Sequence, residues 1–192
     1  MIRLTNLAIV FLVGLATVSS QEKGWTLDKA HSEVGFAIEH MAISEVSGRF
    51  KEFEITFVSG TEDFSDASVK AVINTASITT NQERRDNHLR SDDFFYAEQY
   101  PTITFESKSF EKTEDGNYKI TGDLTIRGIK KAVSFEAEYR GTVTTQQGPV
   151  MGWRARTVID RFDYGLTWNR MVENVGVAGK DVTITLNLEF RK

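Results

Sequence analysis

"YKITGDLTIR", residues 118–127, alternates without a miss: Tyr118, Ile120, Gly122, Leu124 and Ile126 share one face, and Lys119, Thr121, Asp123, Thr125 and Arg127 share the other. Successive residues of a strand point to opposite sides, so this stretch is a strand with one dry face and one wet face. The same grammar returns where Val133, Phe135, Ala137 and Tyr139 oppose Ser134, Glu136, Glu138 and Arg140, and again where Val182, Ile184, Leu186, Leu188 and Phe190 oppose Thr183, Thr185, Asn187 and Glu189. Further strands are expected at Val34-Phe36-Ile38, Phe53-Ile55-Phe57, Val69-Ala71-Ile73, Ile103-Phe105 and Trp153 to Ile159. Asp115-Gly116 and Arg127-Gly128 fall between such runs, which predicts tight hairpins and an antiparallel sheet. With two prolines in the chain, no long-period repeat and no Gly/Ser-rich or Pro-rich linker, residues 21–192 read as one all-β domain.

Long strands with one apolar face curl, and about eight of them close into a barrel without an exposed edge. Two chemical versions share this pattern. A soluble barrel turns its apolar face inward, whereas an outer-membrane barrel turns it to lipid. Alternation does not separate them.

Residues 1–20 carry one cation, Arg3, then an apolar run from Leu7 to Ala16, then Val18-Ser19-Ser20 before Gln21. A run of that length is too short for a membrane-spanning helix and has the layout of a secretory signal peptide. The product is therefore expected to be exported, in the periplasm or secreted. The chain has no cysteine, which removes disulfides, thiolate chemistry, cysteine-based zinc sites and the acceptor of a lipoprotein anchor. The formal net charge is −4, and loss of Arg3 makes the product more acidic still. Such a chain has no basic field for phosphate backbones, so no nucleic-acid partner is expected.

One segment breaks the pattern: "ERRDNHLRSDDFF", residues 83–95. Thr80 followed by Glu83 has capping-box spacing, and Asn81 to Arg90 has neither proline nor glycine, which predicts a short helix over 81–90. Only Leu89, Phe94 and Phe95 are large apolar residues, so the helix suits either a solvated surface or a lid at the mouth of a barrel.

A resemblance adds to this. "WTLDKAHSEVGFAIEHMAISEVSGRF" at 25–50 resembles the opening of the YceI-like family of lipocalin-like proteins, and "DNHLRSDDFF", "YPTITFES", "GDLTIRGIKKAV", "DRFDYG" and "DVTITLNLEF" follow in the same order through to residue 190. Arg127, Lys130 and Ala132 replace the histidine, threonine and proline common in the third of those later motifs, and Ala178-Gly179-Lys180 replaces a more acidic turn; all are expected in hairpin turns. The resemblance implies an antiparallel lipocalin-like barrel with an elongated apolar interior that holds a polyisoprenoid chain, and a periplasmic location for a bacterial member with a signal peptide.

On that reading Phe36, Ile38, Phe53, Phe105, Ile126, Phe135 and Trp153 face the tail, while Leu89, Phe94 and Phe95 close over it. Read alone, the same aromatics favour a filled core. His40 continues the inward face of its strand, and Asn87, His88 and Arg90 are candidates for the polar end of the ligand, or else for anchoring the helix to loop backbone. In "DRFDYG", Asp160, Arg161 and Asp163 are expected to pair their charges while Phe162 or Tyr164 packs inside. His31, His40 and His88 lack the spacing of common zinc motifs, and neither a phosphate loop nor a serine nucleophile motif is present, so no metal, no cofactor and no catalysis are expected. The expected function is the binding, sequestration or transport of a long isoprenoid lipid such as a quinone, its precursor or a polyprenyl phosphate. Transient contact with a membrane surface and a homodimer are compatible with it. An enzyme acting on such a lipid and a small outer-membrane barrel are the alternatives.

Overall fold

A computed structural model describes residues 24–172 and 175–192; the expected signal peptide lies outside them. The strands are β1 (Thr26–Leu27), β2 (Glu33–His40), β3 (Ser44–Phe50), β4 (Phe53–Val58), β5 (Ser68–Asn74), β6 (Ile78–Thr79), β7 (Thr102–Lys112), β8 (Tyr118–Ile126), β9 (Ile129–Thr145), β10 (Gly148–Asp160), β11 (Met171–Val172), β12 (Val175–Gly176) and β13 (Ala178–Arg191). A single α-helix, α1, spans Glu83–Arg90. Every pairing is antiparallel, and the main sheet runs β4-β5-β7-β8-β9-β10-β13-β2-β3-β6, with β1 beside β13.

That order describes a curled sheet whose pairings return on themselves. β1 and β2 pair in turn with β13 (Leu27 opposite Phe190, Val34 opposite Leu186) and so act as one long strand broken at 28–32. β3 and β4 form a second, broken at 51–52, and β5 and β6 a third, broken at 75–77. The last contact of the ring is the bridge between Trp25 and Phe57. Two of the breaks are built by side chains: Asp28 accepts from the Ala30 amide and Asn74 from the Ala76 amide, each at 3.0 Å, bending the backbone as an Asx turn does. Counted as composite strands, the expected eight are present.

The opening stretch is β8, and its Tyr118, Ile120, Gly122, Leu124 and Ile126 are the buried face. Arg127 and Gly128 both take positive φ (51° and 73°), the two-residue turn that matches the right-handed twist of its flanking strands. Asp115-Gly116 sits instead in a longer loop, 113–117, closed by the Thr113 amide on Asn117 O at 2.9 Å.

The apolar faces point inward, while the outer faces carry ion pairs such as Lys70–Glu106 (2.8 Å) and Lys108–Asp123 (2.6 Å). Such a surface is unlike the apolar belt of an outer-membrane barrel, which removes that alternative. One end of the barrel is filled. Phe57, Phe64, Phe110, Tyr118, Tyr139, Trp153 and Phe190 stack there at centroid distances of 5.0–6.0 Å, mostly tilted or edge to face. At the opposite end stand α1, the segment 91–97, the β8–β9 turn and the connection from β10 to β13.

The expected helix is shorter than 81–90 and starts differently. Gln82, not Thr80, caps it, accepting from the Arg85 amide. Thr80 is drawn away by Asp86, whose buried carboxylate takes the Thr80 amide (2.8 Å), the Thr80 hydroxyl and the Thr79 hydroxyl (2.9 Å). Burial alone raises the pKa of Asp86, but these bonds and the nearby Arg90 outweigh it and hold the carboxyl below its ordinary value.

Candidate functional site

Above the aromatic plug the barrel is hollow. The space is narrow for its length, with a cavity volume of about 160 Å³. Its wall is drawn from β2, β3, β4, β5, β7, β8, β9, β10 and β13, with Leu89, Phe94, Phe95 and Leu166 at the top. Every lining side chain except Arg161 is apolar.

The wall is uneven. Inward residues of β4, β5, β7 and β8, such as Ile55, Ile73, Ile103 and Leu124, are buried by one another. On β2 and β13 the inward residues Phe36, Ile38, Val182, Ile184, Leu186 and Leu188 are only half-buried, so the free space lies against that side. From Val182 to Leu188 is about 20 Å of strand, longer than one leaflet of a bilayer's hydrocarbon core. At the top of this track Phe36, Phe50 and Phe95 form a row of rings 5.9 and 6.0 Å apart. β3 pairs with β6 only through Arg49 and Phe50, which leaves its upper half unpaired on the side toward α1.

Of the residues singled out from the sequence, Phe36, Ile38, Leu89, Phe94, Phe95, Phe105, Ile126, Phe135 and Trp153 lie on the wall. His40, Phe53, Asn87, His88 and Arg90 do not. Phe53 is buried in the packed core instead. His40 ends β2, opposite Ser44 and Ala178. His88 bonds Asp93 at 2.8 Å and sets its ring edge-on to Phe94 and Trp168, at 5.0 and 4.9 Å. Arg90 gives Nε to Ala76 O (2.7 Å), Nη2 to Ile78 O (2.8 Å) and Nη1 to Asn87 Oδ1 (2.8 Å). Arg90 thus joins the helix to backbone at Ala76 and Ile78, while Asn87 accepts from Arg90 within the helix.

Two more arginines do similar work. Arg127 Nη1 reaches Phe94 O (2.7 Å) and Gly165 O (3.3 Å), tying the segment over the cavity to the connection that leaves β10. Arg161 is 2% exposed and gives its guanidinium to the carbonyls of Gly179 (2.7 Å), Trp168 (2.9 Å), Ala178 (3.3 Å) and Leu166. It forms no charge pair with Asp160 or Asp163, contrary to the expectation from "DRFDYG": Asp160 meets Lys180 (3.6 Å) and Asp163 meets Lys131 (4.0 Å). Burial lowers the pKa of Arg161. Tyr164 packs inside, and Phe162 stays 42% exposed.

The sequence reading placed the face of β13 in a strand but did not assign it to the site. The signal was available, because every inward position of a closed barrel faces the same interior. Arg161, Leu166 and Trp168 had no such signal, since their place depends on how an irregular connection folds back. The histidines stand on separate elements. Asp28, His31 and Glu189 do converge, but Arg191 already binds Asp28 (2.5 Å) and Glu189 (3.2 Å), so their charge is met within the chain.

A curled antiparallel barrel, plugged at one end and hollow and apolar at the other, defines a lipocalin-like protein. The YceI-like domain profile matches residues 25–190, and the chain belongs to that family. Among curated relatives, UPF0312 protein SA2479 of Staphylococcus aureus is 39% identical over 169 residues, 86% of this chain and 96% of that protein. Among solved structures, the YceI protein of Campylobacter jejuni is 34% identical with a TM-score of 0.69, covering 87% of this chain and 96% of that one. A polyisoprenoid binding domain from Saccharophagus degradans shares the fold at 14% identity and a TM-score of 0.61, over 87% of this chain and 97% of that one.

Proposed function

We propose that the protein is an exported carrier that binds a long-chain isoprenoid lipid, such as a quinone or its precursor, and sequesters it or moves it between membranes without transforming it. The observation that carries this reading is the cavity wall, apolar apart from Arg161 and about 20 Å long beside β13. Each methylene withdrawn from water contributes roughly 0.8 kcal/mol, so a branched hydrocarbon tail has ample drive to enter, offset in part by the cost of ordering it. The polyisoprenoid-binding protein with the same fold supports the choice of an isoprenoid. The layout of residues 1–20 supports a periplasmic location, where a water-insoluble cargo needs a carrier.

Native mass spectrometry of protein recovered without detergent from the periplasm, with released molecules identified, tests this. The expected result is a stoichiometric isoprenoid. An apo mass that added polyprenyl lipids fail to shift would instead mean that the hollow is an incompletely packed core.

A further inference from the structure

We propose that the carrier selects its cargo by the tail alone, leaving the polar end outside the barrel and recognising no charge on it. The inference builds on the lipid-binding reading and narrows it. A protein that read a phosphate would set an uncommitted cation, usually a bidentate arginine, where the head group comes to rest. Three arginines stand at the open end in positions suited to that task, and each is already spent. Arg90 holds Ala76 O, Ile78 O and Asn87; Arg127 holds Phe94 O and Gly165 O; Arg161 holds four carbonyls between Leu166 and Gly179.

Turning any of them toward a ligand would take a charged donor from several acceptors at once, the part-buried Ile78 O, Phe94 O and Trp168 O among them, and that loss is costly. Arg85 is likewise bound to the Thr80 hydroxyl (2.7 Å) and Thr80 O (3.0 Å). Lys131 and Lys180 meet acids, while Arg84 and Arg170 are exposed and off the cavity wall. Below the arginines the wall carries no other polar side chain. Among the described residues, therefore, the cavity offers a fit for hydrocarbon and none for a head group.

The test is isothermal titration calorimetry of the delipidated full-length exported chain with three probes below their aggregation concentrations. Geranylgeraniol and geranylgeranyl phosphate share one tail and differ in charge, and geraniol is a short-tailed control. The expected result is that the two long probes bind within about threefold of each other, while geraniol is weaker by at least about a hundredfold. Raising ionic strength is expected to leave the alcohol-to-phosphate ratio unchanged, because no ion pair is there to be screened. A phosphate tighter by tenfold or more that weakens with salt would overturn tail-only selection and leave the carrier reading standing. An alcohol preferred by the same margin would overturn it as well, by showing that charge is rejected. Binding of neither long probe would overturn the carrier reading and this inference together.

Discussion

Single residues at this barrel's critical points act through what lies across from them. Gly48 sits opposite Phe36, and a methyl group there would come within 2.8 Å of both the Phe36 ring and Thr79 O. Phe36 thus supplies from the neighbouring strand the apolar mass that β3 lacks, which is why the polar string "SEVSG" at 44–48 gave no strand signal. Gly122 repeats the device under the Phe105 ring, with Glu106 O close on the other side. Gly122→Ala is expected to destabilise by at least about 1–3 kcal/mol, as overpacking against main chain does, read as a lowered denaturation midpoint. Tyr164 gives the opposite case. Its side chain is 1% exposed, its hydroxyl has no partner among the described residues, and burial pushes its pKa up to about 12. Tyr164→Phe is expected to preserve or raise the melting temperature, since removing an unpaired buried hydroxyl relieves its desolvation cost. A loss of more than about 1 kcal/mol would mean that the hydroxyl has a partner in solution.

At the scale of the element, the strands were legible and the helix's role was not. Period-two alternation names all eight composite strands because one face of each must be dry, but it cannot show where a strand is broken by an Asx turn. Residues 83–95 could be read as a helix running into aromatics, yet whether Arg90 faces a ligand or a carbonyl depends on Ala76 and Ile78, 14 and 12 residues upstream. Arg90→Ala is expected to cost about 1–3 kcal/mol, since the carbonyls of Ala76 and Ile78 lose a charged donor, and to leave unchanged any preference between charged and neutral lipids. A change in that preference in a folded variant would restore Arg90 to the ligand. Asp86 makes the attachment of α1 acid-sensitive. Its folded pKa lies below the unfolded value of about 3.9, so its stabilisation is complete above that value and is lost as pH falls through the lowered one. Limited proteolysis is expected to cut near 80–101 more readily at pH 3 than at pH 6, and Asp86→Asn is expected to cut readily at both.

For the whole molecule, the division between a filled end and a hollow end decides what it can do. The aromatics noted from the sequence turned out to be of two kinds, and alternation could not sort them, because both point inward. Phe57, Trp153 and Phe190 belong to the plug but also border the hollow, whereas Phe36, Phe94 and Phe95 stand at its far end. The free side along β13 makes a specific prediction. Leu186→Trp adds volume where space already exists, so it is expected to fold with a stability change below about 1–3 kcal/mol and to carry less lipid per chain by mass spectrometry. An undiminished load would place the tail elsewhere in the hollow.

The two ends will also report on themselves. Trp153 is locked in the plug among Phe57, Phe64, Phe110, Tyr118 and Tyr139, while Trp168 lies 5.1 Å from Phe94 at the other end, with His88 beside it. Under ultraviolet excitation Trp153, which also borders the hollow, and Trp168, beside Phe94, are expected to change their emission as cargo enters, over the signal of Trp25. The chain thus carries its own indicator lamps at both ends of the hollow, and loading can be followed in real time with no dye attached.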